Sequence, residues 1–274
     1  MMNKTIFSCL LPILMSATPS FSHEVWIEPL QWSAAPGEEL KAHIFNGELL
    51  SGYELIWDDR RIVRAEAWQN QTRKPLQGRL GDRPALSTAG QNNGLLTLLY
   101  QSTYSTVDYD SYEKFAAFAE EKGHLWALEE HDARRLSRTA IKEAYTRFAK
   151  SLVKIGNGDG ADAFRGMELE LVALDNPYVS PAADALTVRL VYQNEYLADH
   201  RVTVFERTPQ GEVSQTVLQT DQEGQARFKV TPGADYLVDA VVLREPARSV
   251  VIETRGAVWE SLWASLTFTV PGDQ

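Results

Sequence analysis

The chain has 274 residues, 44% of them hydrophobic and 10% aromatic, with a single cysteine and a formal net charge of −10. That supply of apolar residues excludes a disordered chain and suffices for one large or two modest cores. The acidic balance argues against nucleic acid or anionic lipid as partner, and one cysteine excludes an internal disulfide.

Residues 1–22 read as a secretory signal. Lys4 supplies the positive start, residues 5–17 (TIFSCLLPILMSA) an apolar run, and Ser20 and Ser22 the small residues at positions −3 and −1 of a cleavage site. The run is too short to cross a bilayer of ~30 Å as a helix. Cys9 lies in the middle of it with no small residues before it, which argues against a lipoprotein site. The expectation is a periplasmic protein cleaved after Ser22, not membrane-embedded and without a thiol.

Residues 23–108 carry short β-rich runs at 25–29, 39–46, 53–57, 61–68 and 94–101, separated by turn signals such as Pro36-Gly37 and Asn46-Gly47. They predict an N-terminal β-sandwich. Residues 109–160 change pattern. Stretches 112–121 and 125–136 predict two helices broken at Gly123, and Ala140, Ile141, Ala144, Tyr145, Phe148, Ala149, Leu152 and Val153 predict a third by their helical spacing. In that third helix Lys142, Arg147, Lys150 and Lys154 fall among the polar positions. The block reads as a helical insertion or cap, closed by GNGDG at 156–160. Residues 161–185 form a connecting strand and loop. Residues 186–274 alternate again, at 186–192, 201–206, 213–219, 225–230, 236–243 and 261–270, and predict a second sandwich of immunoglobulin-like or transthyretin-like type. The fold class is therefore mainly β with an α-helical insertion and two β-sandwich modules.

No thiol, G-x-S-x-G turn, H-E-x-x-H helix or phosphate loop follows the leader, so any catalysis would need a metal. His23 is the leading candidate ligand. Cleavage before it would place an α-amine beside an imidazole, and a second histidine would complete a brace suited to nickel, cobalt or copper. The tripeptide chelate with histidine at the third position is ruled out by Val25. His43 lies in the next strand and can come alongside if the two pair antiparallel. Its plain alternative is a half-exposed strand histidine. His124 and His131 are further candidates, but seven helical residues separate them by ~10.5 Å, too far for one ion to take both. Each would instead join a site separately, His124 with Glu120 or Glu121 and His131 by reaching down from the cap to the sandwich, but a solvated helix surface is the plainer reading of either. His200 beside Asp199 fits a turn. Asn157, Asp159 and Glu168 match parts of a calcium loop, yet Asp162 stands where that loop needs glycine. Trp259, Trp263 and Phe268 read as core rather than as a sugar platform.

The phrases HEVWIEP (23–29), AYTRFAKSLVKIG (144–156), ELVALDNPY (170–178), VRLVYQNEYLADHRVTVFER (188–207), TDQEGQARFKVTPGADYLVDAVVLREP (220–246) and VWESLWASLTF (258–268) carry a resemblance. Together they resemble the bacterial secreted family known as domain of unknown function 4198. The resemblance implies an accessory role in nickel or cobalt uptake, with His23 matching the family's early histidine. The expected function is capture of a late first-row transition ion for an inner-membrane transporter. Two alternatives stand beside it: an envelope module that binds a glycan, peptide or protein without metal, and a copper-dependent oxidase built on the N-terminal brace.

Overall fold

The computed structural model describes residues 23–179 and 185–272. The signal-peptide reading falls outside the described residues. Among those residues no helix is long and apolar enough to cross a membrane.

A ten-stranded sheet forms the middle layer. From one edge its strands run Val213–Gln219, Arg201–Arg207, Asp235–Arg244, Trp259–Thr269, Ile141–Ile155, Gly94–Ser102, Ile62–Gln69 and Thr72–Pro75, and Ser33–Ala34 and Ser105–Tyr109 also pair with Ile141–Ile155. A four-stranded sheet of Glu24–Pro29, Leu40–Glu48, Ser51–Leu55 and Leu86–Thr88 covers part of one face. Another, of Leu169–Ala173, Ala185–Tyr192, Glu195–Tyr196 and Gln225–Lys229, covers the opposite face. The two sandwiches thus share one continuous middle sheet.

Side-chain alternation along the shared strands assigns residues to the two cores, as a period of two demands. Leu95, Leu99, Phe148 and Leu152 face the C-terminal sandwich, with Val238, Leu266 and Leu190. Leu96, Leu98, Ala149 and Val153 face the N-terminal one, with Ile27, Ile44 and Trp57.

The third predicted helix is a correction. Ile141–Ile155 is a fifteen-residue strand, parallel to Trp259–Thr269 with Glu143 opposite Trp259 and Arg147 opposite Trp263. It is buried on both faces, so apolar residues occupy successive positions rather than alternating, and their spacing mimics a helix. Ala, Leu, Lys, Arg and Glu deepen the imitation because they are good helix formers. Pairing on both sides overrides that propensity.

The other two helices form, as Tyr112–Glu121 and Trp126–Ala133. Gly123 (φ +82°) reverses the chain between them, in the left-handed region that glycine adopts without strain. Phe115 and Phe118 of the first helix stack on Trp259 and Trp263, with ring centroids 5.5 and 6.0 Å apart. Trp126 of the second helix packs 5.8 Å from the same Trp259, so both helices lie on the middle sheet, on the face that also carries the N-terminal sandwich.

Candidate functional site

Where the first strand, the first helix and the middle sheet meet, the fold leaves a cavity of about 300 Å³ lined by His23, Asn46, Asp108, Lys114, Arg147 and Trp263, among others. His23 stands at the head of the strand Glu24–Pro29, and Asn46 comes from its antiparallel neighbour, opposite Val25. Glu143, Tyr145 and Arg147 project from one face of Ile141–Ile155, two residues apart, and also line the cavity.

Arg147 is the unusual member. It is only 9% exposed, and its guanidinium lies 4.0 Å from the Trp263 ring centroid and 4.8 Å from that of Tyr145. Its Nε and Nη1 have no hydrogen-bond partner among the described residues. Burial lowers the pKa of this side chain, opposed by Tyr145, Asp239, Glu24 and Glu143. A buried guanidinium with two idle donors costs free energy unless something else accepts from them.

Around it several charges are paired or are disfavoured by burial. Lys122 donates to Glu24 Oε1 at 2.9 Å and lies 4.9 Å from the Trp263 ring. Glu143 accepts from Tyr109 at 2.7 Å and from Ser261 Oγ, which in turn accepts from Trp263 Nε1 at 2.8 Å. Burial raises the Glu143 pKa, and the bonds from Ser261 and Tyr109 oppose it. Asp239 is pushed up to about 7 by burial, with Lys122 opposing and Glu24 reinforcing the shift. For His23 burial lowers the pKa; Glu24 raises it, while Arg147 and Lys122 lower it further. The imidazole at the cavity rim is thereby biased toward its neutral form.

The four histidines read as metal candidates lie in different places. His43 is in the strand paired with that of His23, but the register sets it opposite Glu28 rather than beside His23. Five residues of strand amount to about 17 Å. Its Nδ1 lies 3.4 Å from Glu54 Oε2, and its ring packs 5.3 Å from Phe45. His131 is fully buried and does reach down to the sheet, accepting from Trp259 Nε1 at 3.1 Å while its Nε2 bonds to Ser137 O at 3.0 Å. Both ring nitrogens are thus committed to structure. His124 follows Gly123, off either helix, and its Nε2 bonds to Val241 O at 2.8 Å. His200 bonds to the same carbonyl at 2.8 Å, with the two rings 5.7 Å apart. Burial, then the His200 neighbour, lowers the His124 pKa to about 4. Among the described residues no three or more His, Cys, Asp or Glu converge in a way that could hold a metal ion. The chain's own described side chains do not assemble a complete metal site.

Sequence reasoning missed Arg147 and the His124–His200 pair. Arg147 was hidden by the mistaken helix, in which it fell on the solvent side. His200 does serve its turn: its carbonyl accepts from Thr220 N–H and its N–H donates to Thr220 Oγ1, while its ring points back to the sheet.

A family model described as "Domain of unknown function (DUF4198)" matches residues 20–244. The chain belongs to this family. The match to the DUF4198 model takes in every residue of the cavity named above except Trp263. No curated protein matches. Among solved structures, the D0-D1 domain of intimin is 14% identical, covering 89% of this chain and 97% of its own, at a TM-score of 0.21. A DUF4785 family protein from Legionella pneumophila subsp. pneumophila str. Philadelphia 1 is 10% identical, covering 78% and 50%, at a TM-score of 0.24. A tetra-tandem repeat in the extending region of a large adhesion protein is 11% identical, covering 91% and 50%, at 0.21. Scores this low carry no functional inference to the DUF4198 chain.

Proposed function

We propose that this DUF4198 chain is a binding protein of the bacterial periplasm whose ligand site is the His23–Arg147 cavity, and that the ligand carries a carboxylate. An acidic sugar or the end of a peptide has that chemistry. One observation carries the reading: Arg147 lines the cavity between two aromatic rings, and its Nε–H and Nη1–H have no partner among the described residues. A guanidinium receives a carboxylate through two parallel bonds at its Nε/Nη2 edge or its Nη1/Nη2 edge, and each of those edges here includes one donor without a partner among the described residues. The volume suits a small ligand or the tip of a larger one. The test is thermal unfolding of the protein with galacturonate and with the dipeptide Ala-Ala. A ligand at about 100 times its Kd stabilises by ~2.7 kcal/mol, and Arg147→Gln removes the shift. No shift with either, or a shift that survives Arg147→Gln, overturns the proposal.

Metal capture for an uptake system is the second reading, and His23 supports it. A neutral imidazole at a cavity rim is the form that ligates nickel, cobalt or copper, and leader cleavage before it would add an amine. Equilibrium dialysis with nickel compares protein starting at His23 with protein retaining one extra N-terminal Ala. Equal binding by both rejects the N-terminal chelate. The oxidase alternative adds ascorbate-driven peroxide production by the copper-loaded protein, and its absence rejects that reading.

A further inference from the structure

On the other face of Ile141–Ile155 lies a second polar cluster, remote from the cavity. Lys150 is fully buried in the C-terminal sandwich, and the side chains of Asp162 and Glu170 beside it are also fully buried. Lys150 Nζ is 2.7 Å from Asp162 Oδ2 and 2.9 Å from Glu170 Oε1. It also bonds to Leu171 O at 3.1 Å and Ala163 O at 3.3 Å. Lys150 belongs to the middle sheet, Asp162 to the loop that leaves it, and Glu170 to the first strand of the covering sheet.

An amine 2.7 Å from a carboxyl oxygen stands about 3–3.5 Å from the carboxyl carbon, the separation of a near-attack arrangement. The carboxyl is polarised from both sides: Ala173 N–H donates to Oδ2 at 3.0 Å and Thr97 Oγ1 to Oδ1 at 3.3 Å. Glu170 touches the nucleophile and is itself positioned by backbone N–H groups of Arg165 and Met167 at 2.9 to 3.1 Å. Water, which would favour the separated ions, is excluded, and the ion pair bears the desolvation cost of burial. An amide in its place carries no charge.

We propose that Lys150 and Asp162 join in an intramolecular amide bond, with Glu170 as the proton carrier. Nζ gives one proton to Glu170, which passes it to Oδ1, and the freed amine bonds to Asp162 Cγ. Nζ then gives up a second proton by the same route, the Cγ–Oδ1 bond breaks, and Oδ1 leaves as water carrying both protons. One ammonium and one carboxylate become one amide and one water, so no oxidant or co-reactant is required. Oδ2 remains as the amide oxygen, still accepting from Ala173 N–H. The bond would close the loop between the middle and covering sheets in a chain whose one cysteine, Cys9, can form no internal disulfide. This proposal is independent of the ligand reading above.

Intact mass of the purified full protein, with its N-terminus sequenced, tests it. The expected mass is one water below that of the sequence, returning to the sequence value in Lys150→Arg and in Glu170→Gln. Trypsin should release residues 148–154 joined to 155–165. That product has the same mass as uncleaved 148–165, so it is sequenced: the branched form shows two N-termini, Phe148 and Ile155, and the linear form only Phe148. A wild-type mass equal to the sequence overturns the proposal. So does a water loss that persists in Lys150→Arg, which would mark dehydration elsewhere, as at Asp159-Gly160.

Discussion

Arg147 and Trp263 sit opposite each other on neighbouring parallel strands, and the guanidinium lies 4.0 Å from the indole ring centroid. The pairing register, not a flexible loop, therefore sets where the idle donors stand. A lysine at this position keeps the charge but loses the planar fork and most of the stacking. Arg147→Lys is expected to weaken carboxylate binding about tenfold or more, on the order of 1.4 kcal/mol, with the fold retained. Calorimetric titration checks it, and equal affinity in the two proteins counts against a bidentate contact.

Asp239 makes stability depend on pH. Its folded pKa is pushed up to about 7 from an ordinary 3.8, so between those values the folded protein holds a proton that the unfolded chain releases. Stability from this group is intact below about pH 4 and declines as pH rises through the window to about 7. Asp239→Asn removes the titration. The variant should gain on the order of 1–4 kcal/mol over wild type at pH 8, and the difference should shrink toward pH 4. Urea unfolding across that range measures it; a constant difference would mean that Asp239 does not titrate as stated.

Several strands were legible because one of their faces is wet. Arg201–Arg207 alternates, as does Gln225–Lys229, and period two reveals them. Ile141–Ile155 has no wet face along most of its length, and its buried Arg147 and Lys150 resemble the polar side of a helix. Both polar clusters depend on that strand, so misreading it concealed them together. His23 could be singled out from sequence alone, whereas its separation from His43 depends on a register that periodicity does not encode.

If local propensity is helical and only pairing makes this segment a strand, the isolated peptide should show it. A synthetic peptide spanning residues 139–156 is expected to gain helical circular dichroism in trifluoroethanol rather than a β signature. A β spectrum under those conditions would place the strand preference in the segment itself.

His131 is expected to behave as a structural residue. Trp259 Nε1 donates to its Nδ1, which assigns the remaining proton to Nε2 and makes Ser137 O its acceptor. His131→Phe keeps a ring in the aromatic stack but leaves the indole N–H and a carbonyl unpaired. The expected cost is on the order of 2 kcal/mol, with nickel binding by dialysis unchanged. A loss of nickel binding without a loss of stability would return this histidine to the set of ligands.

The Lys122–Glu24 pair ties the first helix to the first strand beside His23, with the two side chains only 8% and 4% exposed. Lys122 has a second carboxylate, Glu121, at 3.1 Å, but that one is 44% exposed. Removing Glu24 therefore leaves the buried ammonium with Asp239, whose own burial disfavours its charge, and with Glu121, which water screens. Glu24→Gln should cost about 3 kcal/mol, while Lys122→Met combined with Glu24→Gln should cost less than the sum of the two single changes. The mechanism is the uncompensated charge: once Lys122 is neutral as well, the ammonium that lost its carboxylate is gone. Chemical denaturation of the four proteins completes the cycle, and additive costs would show that the two groups contribute separately.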